Sequence, residues 1–146
     1  AVIPTVITQI ADGARRIRLG ALAPTRDFTF VTDTAEGFVL AASSDAAIGR
    51  VINIGSNFEI SIGDTARLIA GIMNADIEIE TDEARLRPAD SEVERLWCDD
   101  RLARDLLAWA PAHAGPDGFR DGIAKTAAWF ADPGNRAGYR SGVYNV

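Results

Sequence analysis

The chain has 146 residues, 47% hydrophobic and 25% charged, the composition of one soluble globular domain long enough to bury a core. Its net charge of -6 argues against nonspecific nucleic-acid binding, which needs a basic surface to neutralise phosphates. A single cysteine, Cys98, and a single histidine, His113, exclude an internal disulfide and the usual thiolate or imidazole zinc sites, and no apolar run is long enough to cross a bilayer.

Ile3, Val6, Ile7 and Ile10 recur at helical spacing, with Gly13 as the stop and almost no cap at the start. The first residues, Ala1-Val2-Ile3-Pro4, carry no methionine and no signal-peptide features. The expectation is a cytoplasmic piece of something longer. Residues 16–19 alternate as a short strand, and Arg26 to Val31 alternate again after a loop.

Asp33 with Glu36 then reads as a capping box, leading a helix with Ala35, Phe38, Val39 and Ala42 on its apolar face. Val51 to Ile54 is expected to be a strand ending at Gly55. Ser61 with Asp64 is a second capping box, ahead of a helix with Ile62, Ala66, Ile69, Ile72 and Met73 on one side. Asp76 to Glu80 is a further strand, and Thr81 to Glu94 a charged connection. Asp99 or Asp100 caps a helix that Trp109 and Pro111 close, and Phe119, Ile123, Ala127 and Phe130 mark the last helix. Interleaved strands and helices give an α/β class. Cys98 reads as a small apolar residue rather than a reactive thiol, and His113 as an exposed loop residue.

Arg26, between Thr25 and Asp27 and close to Phe28 and Phe30, is the strongest chemical signal. A guanidinium near apolar surface needs an anion that matches its planar fork of donors, and a diphosphate does so. An ion pair from Arg26 to Asp27 or Asp33 is the structural alternative. Arg18 on a short alternating strand can likewise be a solvent-facing charge, and the arginines and acids between Arg85 and Arg95 a self-paired run.

Several stretches, in this order, resemble the C-terminal part of extended short-chain dehydrogenases/reductases that act on nucleotide sugars, above all NAD-dependent nucleotide-sugar 4,6-dehydratases. They are Ala1-Val2-Ile3-Pro4, Ile17-Arg18-Leu19-Gly20, Thr25-Arg26-Asp27-Phe28 with Val31 and Asp33, and Ile52-Asn53-Ile54-Gly55 with Glu59-Ile60-Ser61-Ile62. Arg85-Leu86-Arg87-Pro88 with Ser91-Glu92-Val93-Glu94-Arg95-Leu96, Leu107-Ala108-Trp109-Ala110-Pro111 and Val143-Tyr144-Asn145-Val146 follow. Arg101 and Leu102 depart from the small polar residue and lysine usual after Asp99, and Ala108 stands where glycine is usual.

The resemblance implies a small mixed α/β substrate-binding portion over residues 1–146, with the Rossmann nucleotide half largely absent. It implies that Arg26 contacts the nucleotide diphosphate and Arg87 the phosphate or ribose. Ile17, Arg18 and Leu19 would lie against the base, Val2 near its other face, and Glu92 would meet a ribose or sugar hydroxyl. NAD would be bound mainly by the missing half, and the full-length protein would be a homodimer working on a nucleotide sugar, with no nucleic-acid or membrane partner.

No glycine-rich strand-to-helix turn occurs, and neither Tyr139 nor Tyr144 is followed four residues on by a lysine. No catalytic or cofactor-binding residue is therefore assigned, and the chain alone is expected to be inactive. The reaction implied is oxidation at C4, elimination of water across C5 and C6, and hydride return to C6. A nucleotide-sugar 4-epimerase and a non-catalytic nucleotide-binding module are the alternatives.

Overall fold

The computed structural model describes residues 1–86 and 93–139. These form two compact units, one comprising residues 1–24, 61–94 and 123–146 within that range and the other residues 25–60 and 95–122.

In the first unit, α1 (Val2–Ala11) begins without a side-chain cap. It ends where Gly13, at φ 86°, takes the left-handed conformation that lets its N–H reach Ile10 and the Ala14 N–H reach Gln9. β1 (Arg16–Leu19) pairs in parallel with β4 (Glu78–Thr81), Arg16 opposite Glu78 and Ile17 opposite Ile79. Period-two alternation divides β1: Ile17 and Leu19 are buried, while Arg16 and Arg18 face solvent and pair with Glu78 and Glu80.

α3 (Ile62–Ile72) starts at the cap the sequence predicts, with the Ser61 hydroxyl accepting from the Asp64 N–H at 2.9 Å. Val6, Ile7 and Ile10 of α1 and Ala66, Ile69 and Ala70 of α3 are core residues of this unit, as are Ile123, Ala127 and Phe130 of α5 (Gly115–Ala131). α6 (Pro133–Arg136) is capped by Asp132.

The second unit holds a three-stranded sheet in the order β3 (Glu59–Ser61), β2 (Thr25–Asp27), β5 (Arg95–Leu96), with β2 and β5 parallel. α2 (Val31–Ala42) and α4 (Arg101–Leu107) enclose a cluster in which Ala103, Leu107 and Trp109 are buried against Leu40, Ala41, Ile52 and Ile54.

Three expectations are corrected here. α2 begins at Val31 rather than after an Asp33 cap, and Asp33 lies inside its first turn, buried. Its inward side is consequently Asp33, Gly37, Leu40 and Ala41, while the predicted apolar face is outward, with Phe38 and Val39 71% and 64% exposed. Gly37 makes this inversion possible, since a Cβ there would stand 2.8 Å from the Ile54 side chain. Val51 to Ile54 joins no sheet among the described residues, because Ile52 and Ile54 pack on the Trp109 cluster instead of alongside another strand. The alternation through residues 28–31 also fails to extend β2 beyond Asp27.

Candidate functional site

Arg26 sits in the middle of β2, the central strand of its sheet. It is half-buried, and its guanidinium Nη1 donates to the Thr25 carbonyl at 2.8 Å. The two nearby acids, Asp27 and Asp33, each hold backbone groups of later segments. Asp27 accepts from the Ser56 N–H at 2.8 Å and hydroxyl at 2.6 Å and from the Cys98 N–H at 3.2 Å, tying β2 to two later segments. Asp33 accepts from the His113 N–H at 2.9 Å.

Beside Arg26, the Thr25 hydroxyl donates to Glu59 Oε2 at 2.8 Å. The Arg95 Nε donates to both oxygens of the same carboxylate, at 2.8 and 3.0 Å, and its Nη2 to Oε1. Arg95 also lies 4.8 Å over the Trp97 ring. Hydrogen bonds from Arg95 first, and then from Thr25, favour the ionised carboxyl and hold Glu59 below its ordinary 4.5.

Next to this sheet edge, a groove of about 580 Å3 is lined by Asp27, Phe38, Ile54, Trp97 and Cys98 among others. Burial raises the Cys98 thiol above its ordinary value, reinforced by the negative charges of Asp27, Asp100 and Asp99. This agrees with reading Cys98 as a packing residue, although it is half-buried rather than enclosed. His113 differs from its expected exposure. Its ring is 4.3 Å from Phe30, with Nδ1 3.0 Å from Asp33 Oδ1 and Nε2 3.3 Å from Asp121 Oδ2.

The other predicted ligand residues fall in the first unit or outside the described residues. Val2 opens α1 and is half-buried. Ile17 and Leu19 point into the core of that unit, so Arg18 is the side chain of the three that reaches solvent. Its backbone N–H is held by the Gln9 side chain at 3.1 Å, and its guanidinium lies 3.9 Å from Glu80. Arg87 and Glu92 lie outside the described residues. Sequence reasoning missed Thr25, Glu59 and Arg95 as a group, because their separations of 34 and 36 residues leave no local pattern. It also missed Asp27 and His113. Among the described residues no group of His, Cys, Asp and Glu side chains could hold a metal ion.

Comparison with known proteins supplies the wider context. A family model described as GDP-mannose 4,6 dehydratase matches residues 1–122. A UDP-glucose 4-epimerase of Mycolicibacterium smegmatis is 35% identical over 106 residues, 73% of this chain and 31% of the relative. The dTDP-D-glucose 4,6-dehydratase of Bos taurus is 27% identical over 90% of this chain and 36% of its own length. Among solved structures, the UDP-N-acetylglucosamine 4-epimerase of Methanobrevibacter ruminantium, in complex with UDP-N-acetylmuramic acid, is 27% identical with a TM-score of 0.74, covering 89% of this chain and 39% of that one. The chain thus spans about a third of the length of the curated relatives it matches.

Proposed function

The chain belongs to the GDP-mannose 4,6 dehydratase family of extended short-chain dehydrogenases/reductases, and from that membership we propose that it is the substrate-binding part of an NAD-dependent nucleotide-sugar 4,6-dehydratase. The observation that carries the proposal is the match over residues 1–122, which includes Arg26 and the strand around Arg18. A half-buried guanidinium on a central strand is suited to the paired oxygens of a diphosphate, because planar bidentate recognition combines charge with direction. Arg26 is assigned that role. Val2 and Arg18 are assigned to the nucleotide base, with Ile17 and Leu19, whose side chains are buried, offering it only their backbone. Arg87 is assigned to the phosphate or ribose, and Glu92 to a hydroxyl.

In this reading the chain contributes positioning. Holding the sugar in one orientation would lower the barrier by removing the entropy of encounter, and NAD, held mainly by residues outside this chain, would supply the hydride chemistry. The 35% identical UDP-glucose 4-epimerase favours a second reading, a nucleotide-sugar 4-epimerase, in which the hydride returns to C4.

Mass analysis after incubating the longer enzyme, NAD and a panel of UDP, GDP and dTDP sugars separates the two. Loss of one water marks the dehydratase, and a product of unchanged mass with inverted C4 marks the epimerase. Binding of the same panel to the 146-residue chain tests the positioning role, and the absence of any nucleotide-dependent signal would refute it.

A further inference from the structure

We propose that Glu59, Arg95 and Thr25 form a positioning device for Arg26. The three residues come one from each strand of the sheet: Glu59 from β3, Thr25 from β2 and Arg95 from β5. Thr25 and Arg95 are register partners, so the Glu59 to Arg95 ion pair spans the central strand at Thr25 itself. Thr25 is the pivot. Its hydroxyl donates to Glu59, and its carbonyl accepts from the Arg26 guanidinium, both at 2.8 Å.

A continuous chain of contacts therefore runs from Trp97, under Arg95, through Glu59 and Thr25 to Arg26. The Glu59 carboxylate is bound by two nitrogens of Arg95 and by the Thr25 hydroxyl. A fork-shaped pair of this kind fixes direction as well as distance, which a single-point contact does not. β2 has only three residues, so its own ladder gives it little resistance to twisting, and a side-chain brace across both neighbours supplies what the short strand lacks. The Thr25 carbonyl, held in this way, is one of the contacts that orient the Arg26 guanidinium.

The inference rests on Arg26 as the anion-binding residue, and the test separates the two ideas. In the 146-residue chain, amide exchange at Arg26 and Asp27 and the NMR signal of the Arg26 guanidinium are followed in Glu59→Gln, Arg95→Met and Arg95→Lys. Leu107 and Trp109, buried core residues of the same unit, report whether each variant is folded. Exchange at Arg26 and Asp27 should speed roughly three- to fivefold in Glu59→Gln and Arg95→Met, with the Arg26 signal shifted. Arg95→Lys, which keeps the charge but not the fork, should fall between these and the parent. Affinity for UDP, GDP and dTDP should decline in the same order.

Unchanged exchange and an unchanged Arg26 signal in Glu59→Gln overturn the positioning device, whatever nucleotide affinity does. Altered exchange with a nucleotide affinity that Arg26→Ala does not reduce leaves the brace standing and removes Arg26 as the anion ligand.

Discussion

Asp33 holds His113 twice, accepting from its backbone N–H at 2.9 Å and facing its ring Nδ1 at 3.0 Å, while the Asp33 carbonyl accepts from the Trp109 indole at 3.0 Å. One residue in the first turn of α2 thus anchors the whole loop that follows α4. Asp33 is 2% exposed, so removing its carboxylate leaves a sheltered N–H without a partner. Asp33→Ala should lower stability by about 1–3 kcal/mol, read as a shift of the urea midpoint. An unchanged midpoint would show that the anchor contributes nothing.

Ala108 occupies φ 50° at the end of α4, the left-handed region that costs a residue with a Cβ about 1–2 kcal/mol. Glycine, which has no Cβ, avoids that cost. Ala108→Gly should therefore raise the unfolding free energy by up to about 1 kcal/mol, reduced by the greater freedom of glycine in the unfolded chain and read as a higher urea midpoint. A destabilised variant would contradict the strained cap.

Glu59 is held below its ordinary 4.5 by Arg95 and Thr25. For a carboxyl depressed in the folded state, the contribution to stability is complete above its unfolded value and is lost as pH falls through the folded value. Stability contributed by the brace should consequently persist at pH 5 and disappear in the acid range below 4.5. Asp99, bonded to Arg101 and lowered to about 2, should titrate lower still. Carboxyl NMR titration checks both, and an ordinary Glu59 midpoint would sink the first.

The raised Cys98 thiol should be mostly protonated near neutral pH and react with iodoacetamide more slowly than a small-molecule thiol such as glutathione. Denaturation should abolish the difference. Equal rates in the folded chain would place the thiol in a more open setting than its burial indicates.

Arg26→Ala should weaken nucleotide-sugar binding by the complete enzyme by roughly 2–4 kcal/mol, the cost of a lost charged partner in a sheltered site. Calorimetry measures this directly, and unchanged affinity would exclude Arg26 from the site. Arg18→Ala examines separately the base-binding role proposed for β1.

Elements whose signals are local were legible in the sequence. Ser61 capped α3 as its spacing with Asp64 required, and Gly13 closed α1. Where two local signals competed, the weaker reading followed. Asp33 and Glu36 matched a capping box, but Asp33 serves His113 and Trp109 from inside the helix, so the face pattern rotated and Phe38 turned outward. The site divides in the same way. Arg26 stood out because a charge among aromatics is conspicuous, whereas Thr25, Glu59 and Arg95 have meaning only once three distant strands are side by side.

The pairing of β1 with β4 has a consequence for how its register survives changing conditions. Arg16 with Glu78 and Arg18 with Glu80 mark one side of the pair, and buried Ile17 with Ile79 marks the other. A slip of one residue would set charges against apolar side chains on both sides at once. Concentrated salt weakens the ionic mark and leaves the apolar one, while urea weakens the apolar mark. The alignment is therefore encoded in two independent alphabets, and erasing one still leaves a legible copy.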